Sequence, residues 1–167
     1  MQKQPRSLQQ MIDIHRTNGL LIDTNLLLLL VIGTMRRDLI GSFKRTQAYR
    51  QADFQRVVDI RKQFTRHWTT PNILTETDNL GRQLPEKLWS NFAKVMSRLT
   101  CLLTEQHIAS NTAANSAPYM RLGLSDSVSL IMGQSILILT DDFRMHGTAL
   151  SAGIDAINLN HLRYSWQ

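Results

Sequence analysis

The sequence predicts an α/β fold: a three-layer sandwich with a central, mostly parallel sheet of four to five short strands flanked by helices. Short apolar runs such as Leu20-Leu21-Ile22 and Ile136-Leu137-Ile138-Leu139 lack polar alternation, so they belong in strands buried on both faces. Segments with helical spacing lie between these runs. At two junctions the apolar run ends in a carboxylate, in Ile22-Asp23-Thr24 and in Leu139-Thr140-Asp141-Asp142. Parallel α/β sheets collect such junctions on one edge.

Taken in order, Ser7 can cap a helix to Arg16, which Asn18-Gly19 stops. Leu20-Leu21-Ile22 reads as the first strand. Thr24 or Asn25 then caps a helix over residues 26–33. Residues 48–64 have helical spacing, with Phe54, Val57, Val58, Ile60 and Phe64 on one side and basic residues on much of the other. Residues 67–70 form the second strand, anchored by Trp68, and Pro71 suits the first turn of a helix that ends before Gly81. Pro85 opens a longer helix to about residue 102, with Leu88, Trp89, Phe92, Val95, Met96 and Leu99 on its core face. Residues 103–108 are ambiguous between strand and loop, and residues 110–118 read as a polar loop. Ser125 caps a helix over residues 126–133, and residues 136–139 are the clearest strand. A helix over residues 142–152 follows, then, after Gly153, a last strand over residues 154–159.

At 167 residues the chain predicts one domain, with residues 1–19 ahead of the first strand and residues 34–66 forming a basic helical segment. Apolar residues make up 43% and charged residues 19%, which excludes disordered and fibrous classes. The single cysteine, Cys101, excludes an intramolecular disulfide and a cysteine-based zinc site. Its apolar neighbours predict a packed thiol, and a reducing, cytoplasmic setting is expected. No apolar run approaches the roughly 18 residues of a membrane span, so no membrane partner is expected. Met1 to Arg6 is polar and expected to fray.

The net charge of +6 has a location. Nine basic residues lie between Arg36 and Arg66, opposed only by Asp38, Asp53 and Asp59. The rest of the chain is balanced, so the excess sits in one segment and points to a polyanion partner. The expected contacts are Arg36, Arg37, Lys44, Arg45 and Arg50.

Four acidic positions stand out. Asp23 ends the first strand, Glu76 lies about one turn into the helix after the second, Asp126 opens a helix, and Asp141 and Asp142 follow the fourth strand. Clustered carboxylates repel one another, so an empty site keeps at least one protonated. Magnesium or manganese removes that cost, being hard cations that take oxygen ligands. Such a site beside a basic segment is what hydrolysis of a phosphodiester backbone needs.

These residues resemble the PIN-domain ribonucleases, the fold of many toxin nucleases. The matching pieces are Ile22-Asp23-Thr24-Asn25, Glu76, Leu122-Gly123-Leu124-Ser125-Asp126-Ser127, Leu137-Ile138-Leu139-Thr140-Asp141-Asp142-Phe143 and Gly153-Ile154-Asp155-Ala156-Ile157-Asn158. The resemblance implies a PIN-like three-layer sandwich and a metal-dependent endoribonuclease of toxin or defence type. It implies that Asp23, Glu76, Asp126 and one of Asp141 and Asp142 bind magnesium or manganese, with Asp142 favoured by its place two residues after Thr140, the threonine at the strand end, and Asp141 still a candidate. Thr24, Asn25 and Thr140 would support the ligands. The implied partners are an RNA substrate and a small antitoxin or regulatory protein, with a homodimer allowed. The rival readings are a non-catalytic RNA- or protein-binding module and a DNA-directed nuclease.

The five histidines have no metal-ligand spacing, and His146 is expected at the surface, with the site as the alternative. Trp68, Trp89 and Phe92 are expected in the core rather than under a base. Tyr164 and Trp166 are candidates to cover a dimer surface.

Overall fold

Leu20, Leu21 and Ile22 are buried, and the strand they form is the middle of the sheet. The computed structural model describes residues 6–164. Its five strands are β1 (Leu20–Ile22), β2 (His67–Thr69), β3 (Thr104–Glu105), β4 (Leu137–Thr140) and β5 (Ala156–Asn158), all parallel, in the order β3-β2-β1-β4-β5. With helices packed about the sheet, the architecture is the α/β three-layer sandwich expected.

The strand order determines where a site can form. The chain moves outward from β1 to β2 and β3, then returns to lay β4 on the other side of β1. The order therefore reverses between β1 and β4, and a crevice opens outside the carboxyl ends of that pair. Register carries the pairing into the crevice. Ile22 pairs with Leu139, and the Asp23 amide donates to the Leu139 carbonyl at 3.0 Å. Asp23 and Thr140 thus leave the sheet side by side.

Ahead of β1, α1 (Leu8–His15) begins at Ser7, whose hydroxyl accepts from the Gln10 amide while Gln10 accepts from the Ser7 amide. The chain then turns at Gly19, where φ is +115° and a Cβ would lie 2.7 Å from the Trp68 ring, so only glycine fits. After β1 comes α2 (Thr24–Met35), in which every residue from Leu26 to Gly33 is buried. A helix apolar all round belongs inside, and α2 packs against α3 (Gln51–Arg61), α4 (Pro71–Gly81) and α5 (Glu86–Cys101). Each buried leucine or isoleucine contributes roughly 2 kcal/mol by leaving water.

Several expected boundaries shift, each for a local reason. The cap of α2 is Asp23 rather than Thr24 or Asn25, since its Oδ1 accepts from the Leu26 amide at 3.1 Å. The basic segment is helical only in part. A short 3-10 turn spans Arg37–Leu39, turns follow, and α3 begins at Gln51 because Asp53 bonds back to the Arg50 amide at 2.8 Å. Residues 110–118 are no mere loop: α6 (Ser110–Ala114) and α7 (Tyr119–Leu122) flank the turn there. Gly123, at φ +82°, rather than Ser125, precedes α8 (Leu124–Met132). The last strand is short, between α9 (Phe143–Ser151) and a closing helix, α10 (Leu159–Tyr164), that had no sequence signal.

Cys101 is exposed, not packed. It ends α5, whose buried residues are Phe92 and Met96, and five residues beyond Met96 rotates it off that face. Phe92 is buried, while Trp68 and Trp89 are half-buried against the core. Arg6, expected to fray, forms an ion pair with Asp155. The Tyr164 side chain, Trp166 and residues 1–5 lie outside what is described. Among the described residues no helix is long and apolar enough to cross a membrane.

Candidate functional site

Outside the carboxyl ends of β1 and β4 lies an open cleft of about 330 Å³. Asp23, Glu76, Asp126 and Asp142 line it, with Thr24 and Asn25; Asn79, Leu80 and Gln83 of the α4 segment complete the wall. All four carboxylates singled out by sequence context therefore meet in one place.

Each acid is held by its own local structure. Asp23 caps α2 with one oxygen and accepts from the Thr140 hydroxyl with the other. It is only 8% exposed. Glu76 projects from α4, and the Thr24 hydroxyl donates to it at 2.9 Å. Asp126 sits in the first turn of α8. Asp142 caps α9, accepting from the Arg144 and Met145 amides, and its own amide donates to the Thr140 hydroxyl at 3.0 Å. Thr24 and Thr140 thus each hold an acid by a hydrogen bond.

Asp141 is directed elsewhere. It accepts from the Tyr49 hydroxyl and, at 3.4 Å, from the Asn25 amide, and it is not part of the cleft wall. The Asn160 side chain donates to its carbonyl at 2.8 Å. Of the two aspartates that the sequence could not separate, Asp142 lines the cleft. Tyr49 lies 92 residues from Asp141, and no sequence pattern marks that contact. Burial, then the Asp141 charge, push the Tyr49 phenol up, so it remains a proton donor to that carboxylate.

The electrostatics show unrelieved negative charge. Burial raises Asp23 to about 7, with the Asp141 and Asp126 charges adding to it against the bonds from Thr140 and Leu26. Burial raises Asp126 to about 6, reinforced by Asp142 and Glu76. These acids sense one another, and a cation placed among them would reverse the penalty. The donors are all hard oxygens, suited to magnesium or manganese. No three of the described His, Cys, Asp or Glu side chains draw together tightly enough to hold an ion directly. Magnesium keeps several waters and is commonly held by one or two carboxylates, so the looser set of acids fits it.

The basic residues separate on inspection. Arg36 pairs with Asp38, and Arg37 bonds Gln55 at 3.1 Å and lies over the Phe54 ring. Lys44 and Arg50 are exposed. Arg45 donates to Gln83 at 2.6 Å, which links the basic segment to the cleft wall. Asn79, Leu80 and Gln83 were not foreseen, although they follow Glu76 at helical spacings of three, four and seven. His146 neither faces solvent nor joins the cleft: it is 9% exposed and packs edge-on against His161 at 5.0 Å. No protein-family model, curated protein or solved structure matches this chain.

Proposed function

We propose that the chain is a divalent-metal-dependent endoribonuclease of the PIN kind, serving a toxin or defence role. One observation carries this reading: Asp23, Glu76, Asp126 and Asp142, from four separate segments, line one cleft at the sheet's switch point. Magnesium or manganese would be held by these acids, and when bound it supplies activation of water and neutralisation of charge at the phosphodiester. The chain's own residues do the rest. Thr140 and the Leu26 amide orient Asp23, and Thr24 orients Glu76. Asn25 engages Asp141 beside the cleft. Exposed Lys44, Arg45 and Arg50, in the segment that also contains Arg36 and Arg37, offset the repulsion between an acidic cleft and a phosphate backbone. A small antitoxin or regulatory protein, and self-association, are the partners this role carries with it.

The test is cleavage of labelled RNA and DNA with manganese by the wild type and by Asp23→Asn. The reading expects RNA to be cut by the wild type and the variant to lose at least about a hundredfold in rate. Absence of cutting under any divalent metal leaves a binding module instead. Cutting confined to DNA changes the substrate class, and equal cutting by the variant removes the site assignment.

A further inference from the structure

The cleft has two chemically different parts. One contains the four carboxylates. The other is neutral: Asn79 and Leu80 near the end of α4, and Gln83 just beyond it. Gln83 lies two residues beyond the end of α4, in the turn that its amide closes by donating to the Leu80 carbonyl at 3.2 Å. Arg45 reaches this neutral end from the basic segment, donating its Nε to Gln83 Oε1 at 2.6 Å. The Arg45 Nε bond occupies the Gln83 oxygen and leaves the Gln83 amide N–H groups to donate. It also leaves the remaining guanidinium N–H groups for an anion.

We infer that Asn79, Leu80, Gln83 and Arg45 form a nucleoside-binding subsite for single-stranded RNA, next to the carboxylates that hold the cleavage centre. This inference rests on the nuclease reading above and names the residues that would rank the bases at its cleft. The carboxylates repel a polyanion, so the strand must enter or leave over a part of the cleft that carries no negative charge, and the end lined by Asn79, Leu80 and Gln83 is that part. Leu80 offers an apolar surface for a base or ribose. Asn79 carries donors and an acceptor and Gln83 keeps its amide donors, which suits them to base edges. Arg45 is placed to hold a neighbouring phosphate. A cleft of about 330 Å³ takes a nucleotide splayed from a single strand, whereas a duplex buries those edges and presents mainly its shape. The arrangement makes Gln83 the specificity residue and Arg45 the residue that orients it.

The experiment measures binding separately from cleavage. Fluorescence anisotropy of labelled single-stranded oligoribonucleotides of A, C, G or U is recorded with manganese in the Asp23→Asn background, which blocks cutting. Gln83→Ala and Arg45→Ala are then added singly. Both positions are exposed, and circular dichroism checks their folding. Gln83→Ala is expected to flatten the ranking among the four bases, with the preferred one losing about tenfold. Arg45→Ala is expected to weaken all four by about tenfold and to lower the salt slope by about one. Single strands are expected to outcompete duplex RNA and DNA of the same sequence. An unchanged ranking in Gln83→Ala, duplex RNA competing as well as single strands, tighter binding of DNA, or no binding at all overturns the subsite. The two readings fail separately. Binding that responds to both substitutions, with a wild type that never cuts, removes the nuclease and keeps the subsite. Cutting that ignores both substitutions does the reverse.

Discussion

Asp23 caps α2 through the Leu26 amide and shares its other oxygen with Thr140, so its position is set by the fold before any ion arrives. Asp142 is set in the same way, as the cap of α9. Asp141, its neighbour in sequence, is turned to Tyr49 and Asn25. Asp142→Asn should therefore lower manganese affinity by more than about tenfold. Its stability should barely change, since asparagine caps a helix about as well as aspartate. Asp141→Asn should lower affinity by a smaller factor than Asp142→Asn, acting through the charge it places near Asp23 and its bonds to Tyr49 and Asn25. Manganese titration followed by electron paramagnetic resonance measures both, and the opposite order would return the ligand role to Asp141. Which of two adjacent aspartates faces the cleft was not legible in the sequence, because both follow the strand and both can cap the next helix. The choice depends on Tyr49, which arrives from a distant turn.

At the scale of elements, α10 is fastened to α3 by a charge pair whose acid is buried and whose arginine is half-buried. Arg163 donates to both oxygens of Asp53 at 3.0 and 2.9 Å and also lies over the Tyr49 ring. Burial pushes the Asp53 carboxyl up, but the bonds from Arg163 and the Arg50 amide outweigh it and leave the acid below its ordinary range. Arg163→Met leaves Asp53, whose side chain is 1% exposed, with Arg56 as its one remaining ion partner among the described residues. The expected loss is about 3 kcal/mol, read as a lower urea midpoint at unchanged slope. A loss under about 0.5 kcal/mol would mean that Arg56 alone satisfies the acid. The helices with strong periodicity or clear caps, α1, α4 and α5, were legible. Helix α10 was not, because Asn160, His161 and Arg163 leave it only Leu159 and Leu162 for the core, too few for a long apolar stripe, and the Arg163–Asp53 pair that adds to its hold crosses the fold. β3 was ambiguous because it has only two residues, both exposed, at the sheet edge.

At the scale of the molecule, the acidic cleft sets how stability responds to pH. Asp23 and Asp126 titrate near 7 and 6 in the fold, against 3.8 in the unfolded chain. Carboxyls raised on folding contribute stability that is full below about 3.8 and lost as pH rises through 6 and 7. The metal-free protein should therefore show a falling melting temperature from pH 5 to pH 8. Manganese at a hundred times its dissociation constant should restore about 2.7 kcal/mol at pH 8 and much less at pH 5, where protons compete. Differential scanning calorimetry across that range checks it. A metal-free melting temperature that rises toward pH 8 would show that the acids are not mutually strained.

The sequence by itself determined the alternation of buried strands and helices, and it determined which carboxylates lie at strand-to-helix junctions. Both are local matters of periodicity and capping, written within a few residues. Tertiary structure alone decided that the strand order reverses between β1 and β4, that Asp142 rather than Asp141 faces the cleft, and that Arg45 reaches Gln83. These depend on contacts between residues 38 to 117 positions apart, and such contacts exist only once distant segments of the chain have packed together.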